Sequence, residues 1–155
     1  MSTEQTFEIN STSFEHTLDI AARIGKRLRG SETIELVSDL GGGKTAFVKG
    51  LAQGMGYAGA VRSPSFTLSN EYKAGAKRLV HFDFYRLNDP GVLRDELAEA
   101  IEDSSSVVAV EWADIVEDVL PVERLTVKIT PTGETSRTLL FTFPDGLLYL
   151  VKDVT

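Results

Sequence analysis

Ser38-Asp39-Leu40-Gly41-Gly42-Gly43-Lys44-Thr45 is the stretch on which the reading of this chain turns. It satisfies the phosphate-loop pattern G-x-x-x-x-G-K-[ST] at every fixed position except the first, where Ser38 replaces glycine. The pattern has a mechanical basis. A chain leaving a strand must turn back so that successive backbone N–H groups converge on one phosphate, and small residues permit that turn. A helix starting where the loop ends adds unpaired N–H groups and the positive end of its dipole. In such a loop Lys44 contacts the outer phosphates of a nucleotide, and the Thr45 hydroxyl takes Mg2+. The flanks agree with this. Thr33–Val37 (TIELV) reads as a buried strand, and a helix is predicted from about Lys44 to Met55, with Phe47, Val48, Leu51 and Met55 on one face. Gly54 and Gly56 are expected to end it.

Outward from the loop the pattern stays α/β. Upstream, Thr6–Ile9 is a short strand candidate. Thr12-Ser13-Phe14-Glu15 has capping-box spacing, and a helix is predicted to about Arg29, with Phe14, Leu18, Ala21 or Ala22, Gly25 and Leu28 on its apolar side. Downstream, Phe66–Tyr72 and Arg78–Tyr85 read as a hairpin around Lys73–Lys77. Val92–Ile101 is predicted helical. Val107–Val110 (VVAV) is a continuous apolar run, the mark of a central strand covered on both faces. Three strands are expected in the C-terminal third, at 124–130, 137–143 and 147–151. With no repeat and no linker, residues 1–155 read as a single-domain P-loop NTPase-like three-layer α/β fold with a mixed sheet.

Composition narrows the function. The 155 residues are 42% hydrophobic and 25% charged, which excludes a disordered chain. Zero cysteines exclude a disulfide framework, a zinc ribbon and a thiol nucleophile. The opening MSTEQTFEIN lacks a basic and then apolar leader, and the longest wholly apolar run is LLYLV at 147–151, so a soluble cytoplasmic protein is expected. The net charge is −7, yet Lys44–Arg94 holds eight basic residues against three acidic ones. Such a distribution suits the holding of a compact anion better than an independent grip on nucleic acid.

A phosphate loop needs a carboxylate to complete a magnesium shell, usually at the end of a neighbouring strand. Asp83 ends LVHFD and Glu111 ends VVAVE, and spacing alone leaves both open. Ser63, Ser65 and Thr67 bring hydroxyls to a proline-stiffened loop of the kind that senses a terminal phosphate, or to an ordinary proline turn. Arg86 either stabilises transferring charge or pairs with Asp83. Trp112 either packs in the interior or covers a nucleotide. His16 and His81 have no cysteine partners and no zinc-ligand spacing.

Four blocks in order carry a family resemblance: Asp39–Thr45 (DLGGGKT), Ser63–Leu68 (SPSFTL), His81–Leu87 (HFDFYRL) with Asp89-Pro90, and Glu111-Trp112. Over about residues 10–140 the chain resembles the TsaE (formerly YjeE) family, small P-loop ATPases of bacterial tRNA threonylcarbamoyladenosine (t6A) biosynthesis. The resemblance implies that Asp39, Leu40, Gly41, Gly42, Gly43, Lys44 and Thr45 hold ATP. It further implies that Thr45 and Glu111 coordinate Mg2+, that Asp83 is a Walker-B-like acid needed for hydrolysis, and that Ser65 belongs to a switch-like loop. It sets the region of Phe14 near the adenine. The implied role is a Mg-dependent ATPase subunit, weak alone, which acts with TsaB-like and TsaD-like partners on adenosine 37 of tRNAs and meets tRNA only through them. The sequence departs from the family at Ser38, at Ala46 in place of a second Thr, and over Arg94–Ser106.

Two other classes compete. A small P-loop metabolite kinase needs an arginine-bearing lid after the loop helix, but the C-terminal third reads as strands with arginines only at 124 and 137. A nucleotide-gated binding module without useful hydrolysis is separated from an ATPase by the behaviour of Asp83 and Glu111 variants. A GTPase is disfavoured because no [NT]-K-x-D motif occurs.

Overall fold

A computed structural model of the chain describes residues 4–39, 43–64, 69–85 and 87–154. Its centre is a sheet of seven strands, β1 (Glu4–Ser11), β2 (Thr33–Val37), β3 (Ser69–Ala74), β4 (Lys77–Asp83), β5 (Ser106–Glu111), β6 (Leu125–Pro131) and β7 (Arg137–Pro144), ordered β1-β7-β6-β2-β5-β4-β3. The four central strands β6, β2, β5 and β4 run parallel, and the outer pairings are antiparallel. This is the expected mixed sheet. The parallel strands are the most apolar because helices cover both of their faces. Every residue of β5 is buried, as the VVAV run requires.

Helices α1 (Phe14–Arg27), α2 (Lys44–Met55) and a final turn α4 (Leu148–Val151) cover one face, and α3 (Val92–Glu102) with a short 3-10 turn at Ala113–Val116 covers the other. The sheet therefore separates two cores. Ile34, Leu36, Phe47, Leu51, Val127 and Phe141 build the first. Phe82, Phe84, Leu97, Val108 and Val110 build the second.

Three expectations need correction. The N-cap of α1 is Ser13, whose hydroxyl accepts the His16 N–H at 3.0 Å. His16 Nδ1 in turn accepts the Thr12 N–H at 3.1 Å. The capping box is thus displaced by one residue, with a histidine where Glu15 was expected to serve. Gly54 does not end α2; the helix runs past it to a left-handed cap at Gly56. A side chain at Gly54 would meet the Ala22 carbonyl at 2.1 Å, and one at Gly25 the Leu51 carbonyl at 2.3 Å, so these glycines let α1 and α2 touch backbone to backbone. Finally, 147–151 is not a strand. Asp145–Leu147 forms a 3-10 turn and α4 continues it, burying Leu150 and Val151 in the first core.

The α1–β2 connection is fixed by a buried anion. Glu32 accepts the N–H groups of Arg29, Gly30 and Ser31 at 2.7, 2.8 and 3.1 Å and the Tyr149 hydroxyl at 2.5 Å. Burial alone would raise its carboxyl, but Tyr149 and the amides hold it below the ordinary glutamate range. Glu32→Gln sets an amide donor against one of these donor pairs and should lower stability by about 2 kcal/mol. Because the native carboxyl is depressed, the difference from wild type is present above the ordinary glutamate range. It shrinks as pH falls through the lowered native value. Urea unfolding at several pH values measures it.

Candidate functional site

The parallel centre of the sheet decides where the chemistry-bearing residues gather. β2 delivers Ser38 and Asp39 at its C-terminal end, and β4 and β5 lie in register so that Asp83 stands directly beside Glu111. Side chains alternate along a strand, so His81, Asp83 and Glu111 project to the same face as the start of α2. Gly43, in left-handed conformation at φ 103°, caps α2 and turns the chain into the helix. Ser38, the departure from the phosphate-loop pattern, keeps an ordinary negative φ, so its Cβ imposes no strain.

Lys44 is the hub. Its side chain is 7% exposed, and its ammonium donates to the Ser38 carbonyl at 3.0 Å. The same group lies 3.4 Å from Glu111 Oε1 and 4.8 Å from the centre of the Trp112 ring. Glu111, also buried, meets His81 Nε2 through its second oxygen at 2.5 Å. Asp83 accepts the Tyr85 N–H at 2.9 Å, and burial, reinforced by the neighbouring Glu111, raises its carboxyl above the ordinary aspartate range. Thr45 is exposed at the first turn of α2 and Asp39 at the loop entrance. Among the described residues no three His, Cys, Asp or Glu side chains form a metal cage. Mg2+ rarely uses such a cage, since it binds through one or two carboxylates or hydroxyls with phosphate and water completing the shell. Oxygen donors on Thr45, Asp83 and Glu111 beside a buried ammonium fit that chemistry.

Trp112 is neither fully interior nor free. It adopts φ 55°, ψ 52°, rare for a residue with a side chain, and its ring packs on Tyr85 at 4.9 Å. With Ser38, Asp39, Lys128 and Thr130 it lines a cavity of about 330 Å³ beside the loop.

On the other side of the loop stands a group the sequence did not reveal. Phe14, assigned to the apolar stripe of α1, is 45% exposed, and the Arg137 guanidinium lies over its ring at 5.3 Å. Arg137 Nε would sit 3.5 Å from a Cβ built on Gly43. The guanidinium also donates to the Ser136 and Gly133 carbonyls at 2.8 and 3.1 Å, which fixes the β6–β7 turn. Arg137 thus links the loop exit, Phe14 and the β6–β7 turn. No motif marks it; antiparallel return of β7 beside β1 brings it here. The basic run Lys44–Arg94 contributes less than its count implies. Arg78 pairs with Glu71 and Asp103, and Arg94 with Asp118, each outside the site.

Ser63 lies exposed in the stretch entering β3, where the Tyr72 hydroxyl and Asn70 amide hold the Arg62 carbonyl at 3.0 and 3.1 Å. Leu40, Gly41, Gly42, Ser65, Thr67 and Arg86 fall outside the described residues. No helix among the described residues is long and apolar enough to cross a membrane.

Comparison with known proteins identifies the family. The family model "Threonylcarbamoyl adenosine biosynthesis protein TsaE" matches residues 11–139. The chain is 38% identical to the tRNA threonylcarbamoyladenosine biosynthesis protein TsaE of Bacillus subtilis over 83% of its own length and 80% of the relative's. It is 41% identical to the same-named protein of Aquifex aeolicus over 69% and 77% of the two chains. The crystal structure of Bacillus subtilis YdiB superposes with a TM-score of 0.81 at 31% identity, covering 99% of this chain and 97% of that one. Matched by the family model over residues 11–139 and 38% identical to the Bacillus subtilis relative, the chain belongs to the TsaE family.

Proposed function

We propose that this protein is a Mg-dependent ATPase that acts in tRNA threonylcarbamoyladenosine biosynthesis, in company with TsaB-like and TsaD-like proteins. One observation carries the ATPase reading: Lys44, at the first turn of α2, is buried against the Glu111 carboxylate and the Ser38 carbonyl. A lysine ion-paired to a carboxylate one strand away is poised to exchange it for phosphate. That exchange leaves Glu111 buried with its charge uncompensated, which calls for a cation.

The roles follow. Lys44 and the amides entering α2 bind the triphosphate, and the dipole of α2 adds to the attraction. Thr45 and Glu111 hold Mg2+, which neutralises charge developing on the transferring phosphate when it is bound. Asp83, whose raised carboxyl makes it a competent proton acceptor, orients the attacking water. Trp112 and Tyr85 wall the site. Phe14 offers a stacking face to the base, and Arg137 holds that face against the loop exit. Strands β6 and β7 are integral to the sheet, which leaves the C-terminal third no lid of the kind a metabolite kinase uses.

Arg137→Ala should weaken ATP binding about tenfold by calorimetry. Arg137→Lys should recover only part of this, because an ammonium cannot reproduce the planar fork. The pathway assignment is tested by t6A formation on a tRNA transcript with TsaB-like and TsaD-like proteins. Sustained modification should require this protein, ATP and Lys44. Full modification without it would overturn the assignment.

A further inference from the structure

His81 is completely buried near the end of β4, two residues before Asp83 on the same face. Its sequence context gave it no metal-binding partner, and an apolar residue would fill this core position at less cost. Among the described residues the ring makes one polar contact, Nε2 to Glu111 Oε2, while Nδ1 is buried without a hydrogen-bond partner. Such an orphan atom costs free energy and calls for a reason. The contact fixes which ring nitrogen meets the carboxylate: Nε2 donates to Glu111 Oε2.

We propose that His81 is a positioning residue for Glu111: it ties down one carboxylate oxygen and leaves the other directed at Lys44 and the magnesium position. This rests on Glu111 being a magnesium ligand. A donor held rigidly in the core is the suitable device, because it fixes one carboxylate oxygen and leaves the other for the cation. Lys44 cannot do the same work. Once Lys44 turns to phosphate, His81 is the group that still defines where the Glu111 oxygen points.

The test uses two amides of similar polarity. In His81→Gln the amide nitrogen reaches the position of Nε2 and can still donate to Glu111. In His81→Asn it reaches only the position of Nδ1, where the described residues offer no partner. Binding of the non-hydrolysable analogue AMP-PNP is followed by Trp112 fluorescence, in EDTA and across a Mg2+ titration. His81→Asn should raise the Mg2+ concentration at half-saturation by roughly 10–100-fold. His81→Gln should stay within about threefold of wild type, and Mg-free affinity should be similar in all three proteins. An unchanged half-saturation in His81→Asn, or equal losses with and without Mg2+, overturns the proposal. Wild type that binds AMP-PNP indifferently to Mg2+ overturns instead the reading of Glu111 as a ligand. Long-range 1H–15N NMR of the wild-type ring needs no variant: the Nε2–H tautomer is expected, and the Nδ1–H tautomer contradicts the contact.

Discussion

Lys44→Ala is expected to lower ATP hydrolysis by roughly 10²–10³-fold, the usual cost of removing one preorganised donor to developing charge. It should also destabilise the nucleotide-free protein. Lys44 and Glu111 are a buried pair, with side chains 7% and 5% exposed. Removing one member of such a pair leaves the other as an uncompensated charge, at a cost of about 3–5 kcal/mol. For a chain of this length that is a fall in melting temperature on the order of 10 °C. The double variant Lys44→Met with Glu111→Gln removes both charges at once, so much of the stability should return while hydrolysis stays absent. Calorimetry of the single and double variants measures the coupling. Additive losses would show that the pair does not interact in the resting protein.

Asp83→Asn should separate stability from activity in the opposite sense. Burial, aided by the neighbouring Glu111, raises the Asp83 carboxyl above its ordinary range, so the fold disfavours the ionised form. The sign follows. A raised native value means that the group's favourable contribution is complete at acid pH and is lost as pH rises through the native value. An amide has no such dependence and still accepts the Tyr85 N–H. Asp83→Asn should therefore match wild-type stability below the ordinary aspartate range and exceed it near neutrality. Hydrolysis should fall by roughly 10²-fold or more, with ATP affinity retained. Thermal unfolding across pH, set beside kcat and KM, checks both halves. A stabilised but inactive variant is expected where function keeps a charge that the fold disfavours.

The two elements flanking the loop were legible because the motif, the apolar run and the helical periodicity coincide there. β2 at Thr33–Val37 and α2 at Lys44–Met55 have the expected bounds. The apolar run of β5 announced a strand covered on both faces, and the structure sets it between β2 and β4. Leu147–Val151 failed for the reason that short apolar runs fail: five buried residues satisfy a strand and a helical turn equally. Chain geometry decided, since α4 must turn back to seal α1. The N-cap slipped by one residue because Thr12 and Ser13 are both competent caps and only backbone geometry selects between them.

Within the site, Lys44, Thr45, Asp83 and Glu111 stood in motifs. Arg137 did not, and His81 stood in the His81–Leu87 block with no role assigned to it; the importance of both comes from register. His81 reaches Glu111 only because β4 and β5 are parallel and aligned at Asp83 and Glu111. Arg137 reaches Gly43 and Phe14 only because β7 returns beside β1. Neither pairing has a signature within one strand.

The most direct test of the whole account is ATP hydrolysis by the purified protein in Mg2+, alone and with TsaB-like and TsaD-like proteins, beside Lys44→Ala. Slow turnover alone, a clear rise with the partners and loss of both in Lys44→Ala is the predicted result. Turnover that the partners leave unchanged, or that survives in Lys44→Ala, would contradict the claim that Lys44 and the strand-end carboxylates form the ATPase centre of a t6A-pathway protein.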